Sequence, residues 1–531
     1  MKNIDMNGKI LIASFLIPIA LFFVAGILGF AKKNTLVMRL TKIAPPIGIA
    51  VSLASLFWVF PNGLIESDSI AINDLGLSLR FDTLSVIMFS MVSTIALVVL
   101  RFSYNYLDGD ANQAPFIGNL SITIAFVLLL ILSGNILILF LSWVAVSVAL
   151  HKLLIFYPER RKAVLAARKK FIVARVGDAT LLFALGLIYF EFGSGNLEVI
   201  FEELRQLKLG EVSFELELSA ILLVISAGLK SAQLPFHGWL IEVMETPTPV
   251  SALLHAGLLN AGPFLMIRFA YLLEAVHYGP IILFTMGAIT ALFGAIVFTT
   301  QPSIKTGLAY SSVAHMGFTL MICGLGVYPA ALLHLMAHSF YKAHSFLSSG
   351  SIIEKVRTKQ AVKFSRKGSL WRIMAGFVAA ISLFIALGWF WGVNLNSEFQ
   401  LLIIAGVILT GIISLIVNAL DSNNLGRSIV QIIGGAFLVI VLFFALEKFV
   451  RVYLGNQSPA IAEPSSVMMC LSGITLIIFF ITVLILTLSP VLKKRNRVKH
   501  FGVHVRNGFY LNVVFDRMLS SLNKKEAASK V

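Results

Sequence analysis

The sequence predicts an all-α polytopic membrane protein with about fifteen transmembrane helices. Its 531 residues are 58% hydrophobic and only 13% charged, against about a quarter charged in soluble domains, and the mean hydropathy is +0.90. Apolar runs of about 20 residues, long enough to cross roughly 30 Å of bilayer hydrocarbon, recur along the chain. Chain length therefore does not count soluble domains here, and no polar stretch is long enough for one.

The individual spans follow from these apolar runs, with ends placed to within several residues. The first run is longer than a signal-peptide core and continues into Lys32 and Lys33 without a small-residue cleavage site, so it is expected to remain as a helix. The predicted spans are 10–31, 42–60, 84–104, 114–133, 135–156, 170–193, 218–240, 248–273, 280–299, 304–326, 329–352, 372–391, 400–418, 430–453 and 467–488.

Charge alternates from loop to loop. The net charge of +16 would suggest nucleic-acid binding in a soluble protein, but short basic loops of membrane proteins stay cytoplasmic. The loops after odd-numbered spans are basic, as in 158–170, 354–367 and 493–500, whereas those after even-numbered spans are acidic or neutral, as in 198–217. This pattern predicts an outside N-terminus and a cytoplasmic C-terminus. Binding of nucleic acid or anionic lipid by 158–170 is the less favoured alternative.

Signals of enzymatic chemistry are missing from the sequence. Cys323 and Cys470 are the only cysteines and both fall in predicted spans, so neither a disulfide framework nor a CxxC metal site can be built. No glycine-rich nucleotide-binding motif is present. We therefore expect a protein that is not an enzyme, with no cofactor and no metal of its own.

The stretch GLKSAQLPFHGW, 228–239, places charge inside an apolar span. Lys230 lies about twelve residues, or roughly 18 Å, into that span. A lysine at this depth costs about 2.5–3.5 kcal/mol, so it should face the bundle interior or water. Pro235 removes a backbone donor and frees the carbonyl of Ser231, which predicts a broken helix. Broken helices line ion sites in transporters, so we expect Lys230 to handle protons rather than to snorkel or form a fixed pair.

Neighbouring spans carry further titratable residues. Span ten begins with Lys305 and includes His315. His334, His338 and Lys342 recur every four residues in span eleven, which places them on one helical face about 6 Å apart, close enough for water-bridged proton transfer. The His334–His338 pair could instead hold zinc, but no HExxH pattern and no third ligand is evident, so metal is disfavoured.

Other polar residues complete the predicted path. Arg175 and Asp178 are interpreted as an exposed ion pair near the cytoplasmic end of span six, and Pro247 and Pro249 open the helix that carries His255. The candidate ion-pathway residues are Lys230, His255, Lys305, His315, His334, His338, Lys342, His151, Lys152, Asp178 and Glu245.

Two amphipathic segments lie outside the spans. Segment 194–217 is expected to form a short helix on the outer membrane surface. Segment 501–522 interleaves apolar and charged residues, which predicts an amphipathic helix that docks on the bundle or on a partner. The candidate partner-docking residues are Arg506, Tyr510, Asp516 and Arg517.

Four motifs carry a family resemblance. KSAQLPFHGWLIEVMETPTPVSALLHA (230–256), ARVGD (174–178), IKTGLAYSSVAHMGF (304–318) and LHLMAHSFYKAHSFLSSGS (333–351) resemble the antiporter-like subunits of respiratory complex I and of multisubunit sodium/proton antiporters. The similarity spans roughly residues 80 to 355. It implies two inverted five-helix repeats, at about spans four to eight and nine to thirteen, each with a broken helix.

The resemblance also implies residue roles and a domain organisation. Lys230 would be the central lysine of the first half-channel and His255 its link to the relay. The relay and its further polar station would be Lys305, His334, His338 and Lys342. The expected parts are N-terminal helices 1–113, a first antiporter-like repeat 114–273, a second repeat 274–418, C-terminal transmembrane helices 419–488 and a cytoplasmic tail 489–531 with an amphipathic helix.

Three departures from the respiratory pattern stand out. Their fifth span has a Trp-Glu pair whose glutamate partners the central lysine, whereas Val144 stands at the acidic position here and His151 and Lys152 follow further on. The second broken helix should bring its own lysine, but segment 383–394 has none. No long lateral helix follows the last span.

The chain resembles the DabB family, the membrane subunits of two-component inorganic carbon accumulation systems. The resemblance lies in these departures and in segments 149–171 and 503–519. The resemblance implies a DabA-like partner, a large peripheral protein whose zinc site is similar to that of a β-carbonic anhydrase. Ion flow, of H+ or Na+, would drive directional hydration of CO2 to bicarbonate in that partner. It also implies a location in the bacterial inner membrane, with zinc in the partner only.

Two alternatives stay open at this point. The chain could be an antiporter-like subunit of a respiratory NADH-quinone oxidoreductase or of a sodium/proton antiporter. It could also be a non-conducting membrane anchor that holds a peripheral partner through segment 501–522. The absent glutamate, second lysine and lateral helix count against the respiratory alternative.

Overall fold

Long apolar helices joined by short turns run through the computed structural model. It describes residues 6–68, 70–72, 74–207, 212–350, 369–390, 399–420, 427–461, 463–492 and 496–522. The predicted basic loop 354–367 and part of the lysine-free segment 383–394 lie outside these residues.

The first part of the chain packs six long helices with a small set of strands. The helices are α1 (Met6–Phe30), α2 (Asn34–Asn62), α3 (Thr83–Tyr106), α4 (Gln113–Ile131), α5 (Ile136–Leu154) and α6 (Arg161–Phe192). Between α2 and α3 lie β1 (Ile65–Glu66), β2 (Ile70–Ile72), β3 (Leu75–Leu77) and β4 (Arg80–Phe81). β1 pairs antiparallel with β4, and β2 with β3.

The middle of the chain contains interrupted helices. They are α7 (Leu197–Gln206), α8 (Phe214–Lys230), α9 (Gly238–Glu242), α10 (Thr248–Ala256), α11 (Ala261–Arg268), α12 (Ala270–Ala275), α13 (Tyr278–Phe298), α14 (Ile304–Gly324) and α15 (Tyr328–Leu347). Single 3-10 turns at Val243–Glu245 and Leu258–Asn260 join α9 to α10 and α10 to α11.

The last part continues with long helices and ends in two short ones. They are α16 (Leu370–Phe390), α17 (Phe399–Leu420), α18 (Arg427–Leu454), α19 (Ser466–Leu492), α20 (Asn496–Arg506) and α21 (Leu511–Leu522). Further 3-10 turns follow α18 and α20, at Gly455–Gln457 and Gly508–Tyr510. We call the end of the bundle that carries α20 and α21 the tail face, and the other end the opposite face.

The prediction of a helical polytopic membrane protein is confirmed. Within the described residues, 10 helices are long and apolar enough to cross a membrane. Helices also occupy each of the predicted span positions, but the count of fifteen crossings and the two inverted repeats stay predictions. The four short strands were not foreseen, because runs of two or three residues give no hydrophobic period.

Glycines bring the backbones of α13 and α14 into close contact. A Cβ on Gly287 of α13 would lie 2.5 Å from the backbone nitrogen of Met321, and one on Gly317 of α14 would lie 2.6 Å from that of Ala291. Such close backbone contact is typical of helix pairs in membranes. Lipid provides no hydrophobic driving force between helices there, and close van der Waals packing at small residues holds them together. The α13–α14 pair is therefore a closely fitted seam.

A buried ion network ties the strands to the bundle on the opposite face. Arg80 lies 2.7 Å from Asp82 and 2.7 Å from Glu198, and Arg268 at the end of α11 also contacts Asp82. Burial alone would raise the pKa of the Asp82 carboxyl, but the guanidinium groups of Arg268 and Arg80 hold that pKa well below its ordinary value. Asp82 also caps α3 by accepting a hydrogen bond from the Ser85 amide at 2.8 Å.

Both amphipathic segments form helices that dock on protein. In α7 the apolar residues other than Val199 are buried, and Phe201 packs edge-on against Phe269 with ring centroids 5.8 Å apart. The expected short helix is thus present with most of its apolar side facing protein, and its position on the membrane surface stays a prediction. Segment 501–522 docks on the bundle, where Phe515 packs against Phe236 at 5.8 Å.

Candidate ion path

The helix break predicted at Pro235 is present, and it places Lys230 inside the bundle. α8 ends at Lys230, residues 231–237 are not helical, and α9 begins at Gly238. Ala232 adopts a left-handed backbone conformation with φ of 54°. The Lys230 Nζ donates a hydrogen bond to the Trp143 carbonyl at 3.1 Å and lies 4.2 Å from the centre of the Trp143 ring. Trp143 therefore holds the ammonium by its carbonyl and its π face.

A second buried lysine lies beside the first. Lys170 is 4% exposed, and its Nζ donates to the carbonyl and the hydroxyl of Ser147 at 2.9 and 3.0 Å. A cavity of about 20 Å³, lined by Trp143, Lys170, Lys230 and Trp239 among others, separates the two lysines. This volume has room for about one water molecule. Two amines and a water-sized space make a site at which a proton can be held and passed on.

The sequence analysis missed Lys170 because it assigned 158–170 to a cytoplasmic basic loop. Helix α6 begins at Arg161, so Lys170 is already about 13 Å along it. Lys170 and Asp178 are eight residues apart, which puts them on one helical face. That spacing was the available signal for a buried role.

Asp178 supplies an acid near the two lysines. Asp178 is 6% exposed and lies 2.6 Å from the Arg175 guanidinium. The expectation of an exposed Arg175–Asp178 pair is wrong, because Asp178 faces the bundle interior about halfway along α6. Its charge acts on both Lys230 and Lys170, so α6 brings a carboxylate near the lysines, whereas α5 has Val144 at the position discussed above.

The two other candidates on α5 point in different directions. Lys152 lies 5.7 Å from the ring of Phe30 on α1 and lines a groove that also contains Val144. The His151 ring lies 4.9 Å from the ring of Phe171 on α6. His151 therefore lies on the side of the lysine site, whereas Lys152 faces away from it.

His255 links the broken helix region to α14 and α15. It is fully buried, its Nδ1 lies 2.9 Å from the Ser312 hydroxyl, and its ring stacks on Phe346 at 4.4 Å. Lys342, also fully buried, donates to the Leu308 carbonyl at 2.9 Å. His255 and Lys342 interact electrostatically, which places them in one polar neighbourhood.

Polar residues that the sequence analysis did not single out bridge the remaining distance. The Ser231 hydroxyl beside Lys230 donates to the Leu259 carbonyl at 3.2 Å. The amide of the neighbouring Asn260 donates to the Ser339 hydroxyl on α15 at 2.7 Å. Ser231, Asn260 and Ser339 thus connect the helix break with the helix that carries His338.

Three histidines form one cluster between α14 and α15. His315 Nδ1 lies 3.2 Å from His334 Nε2, and the His315 and His338 rings are 4.9 Å apart. Neither ring nitrogen of His338 has a hydrogen-bond partner in the described part of the chain. The spacing of His334 and His338 on one face is confirmed, and a proton needs only a short step between these rings.

This cluster also bears on the metal question. The sequence offered no third ligand for the His334–His338 pair, but the structure places His315 there, with one nitrogen from each residue within 4.8 Å of the others. Such a trio has the ligand type and number of some zinc sites. The expectation that this chain holds no metal stays a prediction.

Two candidates lie away from these groups. Lys305 begins α14 on the tail face, about 15 Å along the helix from His315. The Glu245 side chain is exposed, and its carbonyl accepts a hydrogen bond from Arg160 at 2.9 Å. Its neighbour Glu242 instead contacts Lys169 at 2.7 Å. The structure therefore separates Lys305 and Glu245 from the buried lysines and histidines.

The four candidate docking residues of the tail divide between bundle and solvent. Asp516 lies 2.5 Å from Lys169, and the Arg506 carbonyl accepts a hydrogen bond from Gln301 at 3.0 Å. The side chains of Arg506, Tyr510 and Arg517 are exposed. Binding of a partner through these exposed residues stays a prediction.

Comparison with known proteins identifies the family to which this arrangement belongs. Residues 133–422 match the family described as NADH:quinone oxidoreductase/Mrp antiporter, TM, and residues 69–117 match the complex I chain 5 N-terminus. The probable inorganic carbon transporter subunit DabB2 of Halothiobacillus neapolitanus is 36% identical over 84% of this chain and 80% of its own length. The chain belongs to the DabB family of antiporter-like membrane subunits.

Further relatives agree with this family. The probable DabB subunit of Hydrogenovibrio crunogenus is 32% identical over 89% of this chain and 88% of its own length. NADH-quinone oxidoreductase subunit L of Rhodobacter capsulatus is 37% identical, but over 55% of this chain and 43% of its own length. The greater coverage of the DabB relatives agrees with the departures from the respiratory pattern.

A solved structure shows the same fold. The Mrp complex from Dietzia sp. contains a chain that superposes with a TM-score of 0.65 at 20% identity, covering 97% of this chain and 60% of that one. At this identity the likeness concerns the fold alone. The family match and the DabB relatives, rather than this likeness of fold, make the chain an antiporter-like membrane subunit.

Proposed function

We propose that the chain is the proton-conducting membrane subunit of an energy-coupled inorganic carbon transporter. A DabA-like, zinc-containing partner would carry out directional hydration of CO2 to bicarbonate, driven by the ion flow. The carbon substrate is inferred from the names of the DabB relatives. The tail face would be cytoplasmic and would hold that partner.

The observation that supports conduction is the site around Lys230. Two buried amines, Lys230 and Lys170, border a water-sized cavity, and the single carboxylate of Asp178 acts on both. Asp178 pairs with Arg175 at 2.6 Å, and within the described residues it forms no ion pair with either lysine, so neither ammonium is fixed by a carboxylate. A proton can therefore reside on either lysine, and a small change at Asp178 shifts its position.

The proposed path leads from this site towards α14 and α15. From Lys230 the proton would pass the polar groups of Ser231 and Asn260 to Lys342 and His255. The cluster of His315, His334 and His338 would then carry it towards the opposite face. Imidazoles and amines transfer protons, whereas a sodium ion prefers oxygen ligands, so we assign the proton as the cargo.

Substitution of path residues in cells that need elevated CO2 without the transporter tests this function. We expect Lys230→Ala or His338→Ala to abolish growth in air while the complex still assembles. Lys152→Ala is the matched control, because Lys152 faces Phe30 and not the path. Growth in air by both path variants would instead favour a non-conducting membrane anchor.

A further inference from the structure

A cavity on the opposite face has no part in the path described so far. It encloses about 190 Å³ and lies where the end of α12 and the start of α13 meet the α14–α15 turn and the C-terminal helices. Its lining includes Glu274, His277, Tyr328, Gln400 and Glu463. His277 and Glu463 are exposed, whereas Tyr328 and Gln400 are buried. The cavity thus runs from solvent into the bundle.

Glu274 is the titratable group placed at intermediate depth in this cavity. It forms no ion pair with any described residue. Burial raises the pKa of its carboxyl to about 7. The other titratable groups facing it are the His277 imidazole, the Tyr328 phenol and the Glu463 carboxylate. Without a fixed cation beside it, the Glu274 carboxyl can exchange its proton freely near neutral pH.

The cavity lies at the end of the helix that carries the histidines. Tyr328 is the first residue of α15, and His334 follows about 9 Å further along the helix axis. A file of about three hydrogen-bonded waters would cover that distance. Glu274 and Tyr328 interact electrostatically, so the carboxyl lies near the start of α15.

The path also needs a titratable group on this face. The family resemblance predicts a second lysine in segment 383–394, and the sequence has none there. A proton that reaches the histidine cluster must still exchange with water on the opposite face. Glu274 is a titratable group on that face in a solvent-connected cavity, and that cavity is also lined by Tyr328, which lies about 9 Å along the α15 axis from His334.

We propose that this cavity is the mouth of the ion path on the opposite face, and that Glu274 exchanges protons there between water and the histidine cluster. The inference rests on the proposed function of the chain. In one direction the Glu274 carboxylate takes a proton from hydronium, releases it to the water file and is a carboxylate again. Each water of the file accepts one proton and passes one on, so every water ends unchanged, and His334 gains one N–H bond.

Proton flux into liposomes that contain the full complex tests the role of Glu274. We expect Glu274→Gln, which keeps the shape but cannot titrate, to lower the flux at least about tenfold. Glu274→Asp should retain flux, with its pH midpoint shifted downward because the carboxyl of aspartate has a lower intrinsic pKa than that of glutamate. Glu203→Gln is the matched control, because Glu203 is an exposed glutamate on α7 of the same face that does not line the cavity, and it should behave as the unmodified complex.

The outcomes separate this inference from the proposed function. If Glu274→Gln kept wild-type flux while Lys230→Ala was inactive, the proposed role of this cavity would be wrong and the proposed conducting function would still be supported. Wild-type flux in both variants would overturn the path itself.

Chemical labelling provides a second measurement that does not depend on flux. Glu274→Cys in a Cys470→Ser background should react with a membrane-impermeant thiol reagent added on the opposite face, and should not react from the tail face. Cys323 is buried and contributes no labelling. An assembled complex that is not labelled from the opposite face would contradict an aqueous mouth at this cavity.

Discussion

At the residue scale, the two buried lysines carry the main argument. Lys230 could be predicted, because a single lysine in an apolar run beside a proline has few structural explanations. Lys170 could not, because it follows a basic loop without a break in charge and only the fold shows that α6 has already begun. The sequence indicated Asp178 as a candidate but not that it is buried. Its burial depends on which side of α6 faces α5 and α8, and hydropathy does not show that side.

Replacing Lys170 tests whether it conducts or only supports the fold. Lys170→Met keeps the length of the side chain and removes a buried amine, so thermal stability should be retained or raised. Proton flux in liposomes should fall at least about tenfold, because one of the two proton-holding groups is gone. Lys152→Met is the control. A drop in thermal stability with unchanged flux would assign Lys170 a structural role.

The ion network on the opposite face gives a stability prediction. Arg268→Met would leave Asp82 buried with a weaker set of partners, so we expect a loss of about 3–5 kcal/mol in unfolding free energy. Arg205→Met removes a partly exposed partner of Glu198 and should cost no more than about 1 kcal/mol. Denaturant titration of both variants in detergent measures their unfolding free energies. If both variants lost the same unfolding free energy, the buried Arg268–Asp82 pair would be no more important for stability than the partly exposed Arg205–Glu198 pair.

At the element scale, the broken helix and the tail act on each other. The segment that follows Lys230 ends in Glu242, which accepts hydrogen bonds from Lys169 and from Asn512 of the tail, both at 2.8 Å. Asp516 completes this group from α21. The break itself was predictable from Pro235, and the tail from its amphipathic pattern. The contact between them was not predictable, because an amphipathic pattern does not show which surface a helix will pack against.

A glycine in α9 offers a test of this contact. A methyl group on Gly238 would overlap the Asn512 side chain, so Gly238→Ala should loosen the tail. We expect faster proteolysis within residues 496–522 and faster amide hydrogen exchange there. Gly502→Ala is the control, since a methyl group there meets nothing within 4 Å. Unchanged proteolysis in Gly238→Ala would show that the tail tolerates a displaced α9.

At the scale of the whole molecule, the proposed path passes the lysine site, then the histidine cluster and then the Glu274 cavity on its way from the tail face to the opposite face. Hydropathy predicted the helices, and the motifs in α6, α8, α14 and α15 predicted the family, whereas the orientation read from loop charge stays a prediction. Contacts between side chains, such as His315 with His334, depend on how the faces of two packed helices are turned towards each other. They could be proposed from the resemblance but not worked out from periodicity.

Energy coupling provides the corresponding prediction for the intact transporter. If proton flow drives carbon uptake, a protonophore should collapse bicarbonate accumulation in cells that depend on this chain. A sodium ionophore that leaves the proton gradient intact should have a much smaller effect. Radiolabelled bicarbonate uptake measures both. Accumulation that persists without a proton gradient would contradict proton coupling, and collapse by the sodium ionophore alone would reassign the ion.

The glycine contacts between α13 and α14 restrict how such a machine can move. Gly287 and Gly317 bring the two backbones so close that tilting one helix against the other would create either collision or empty space. Both helices belong to the same predicted repeat, so a motion of that repeat as one body would carry α13 and α14 together and leave their contact intact. Between these two helices, only side-chain rotamers and waters have room to change.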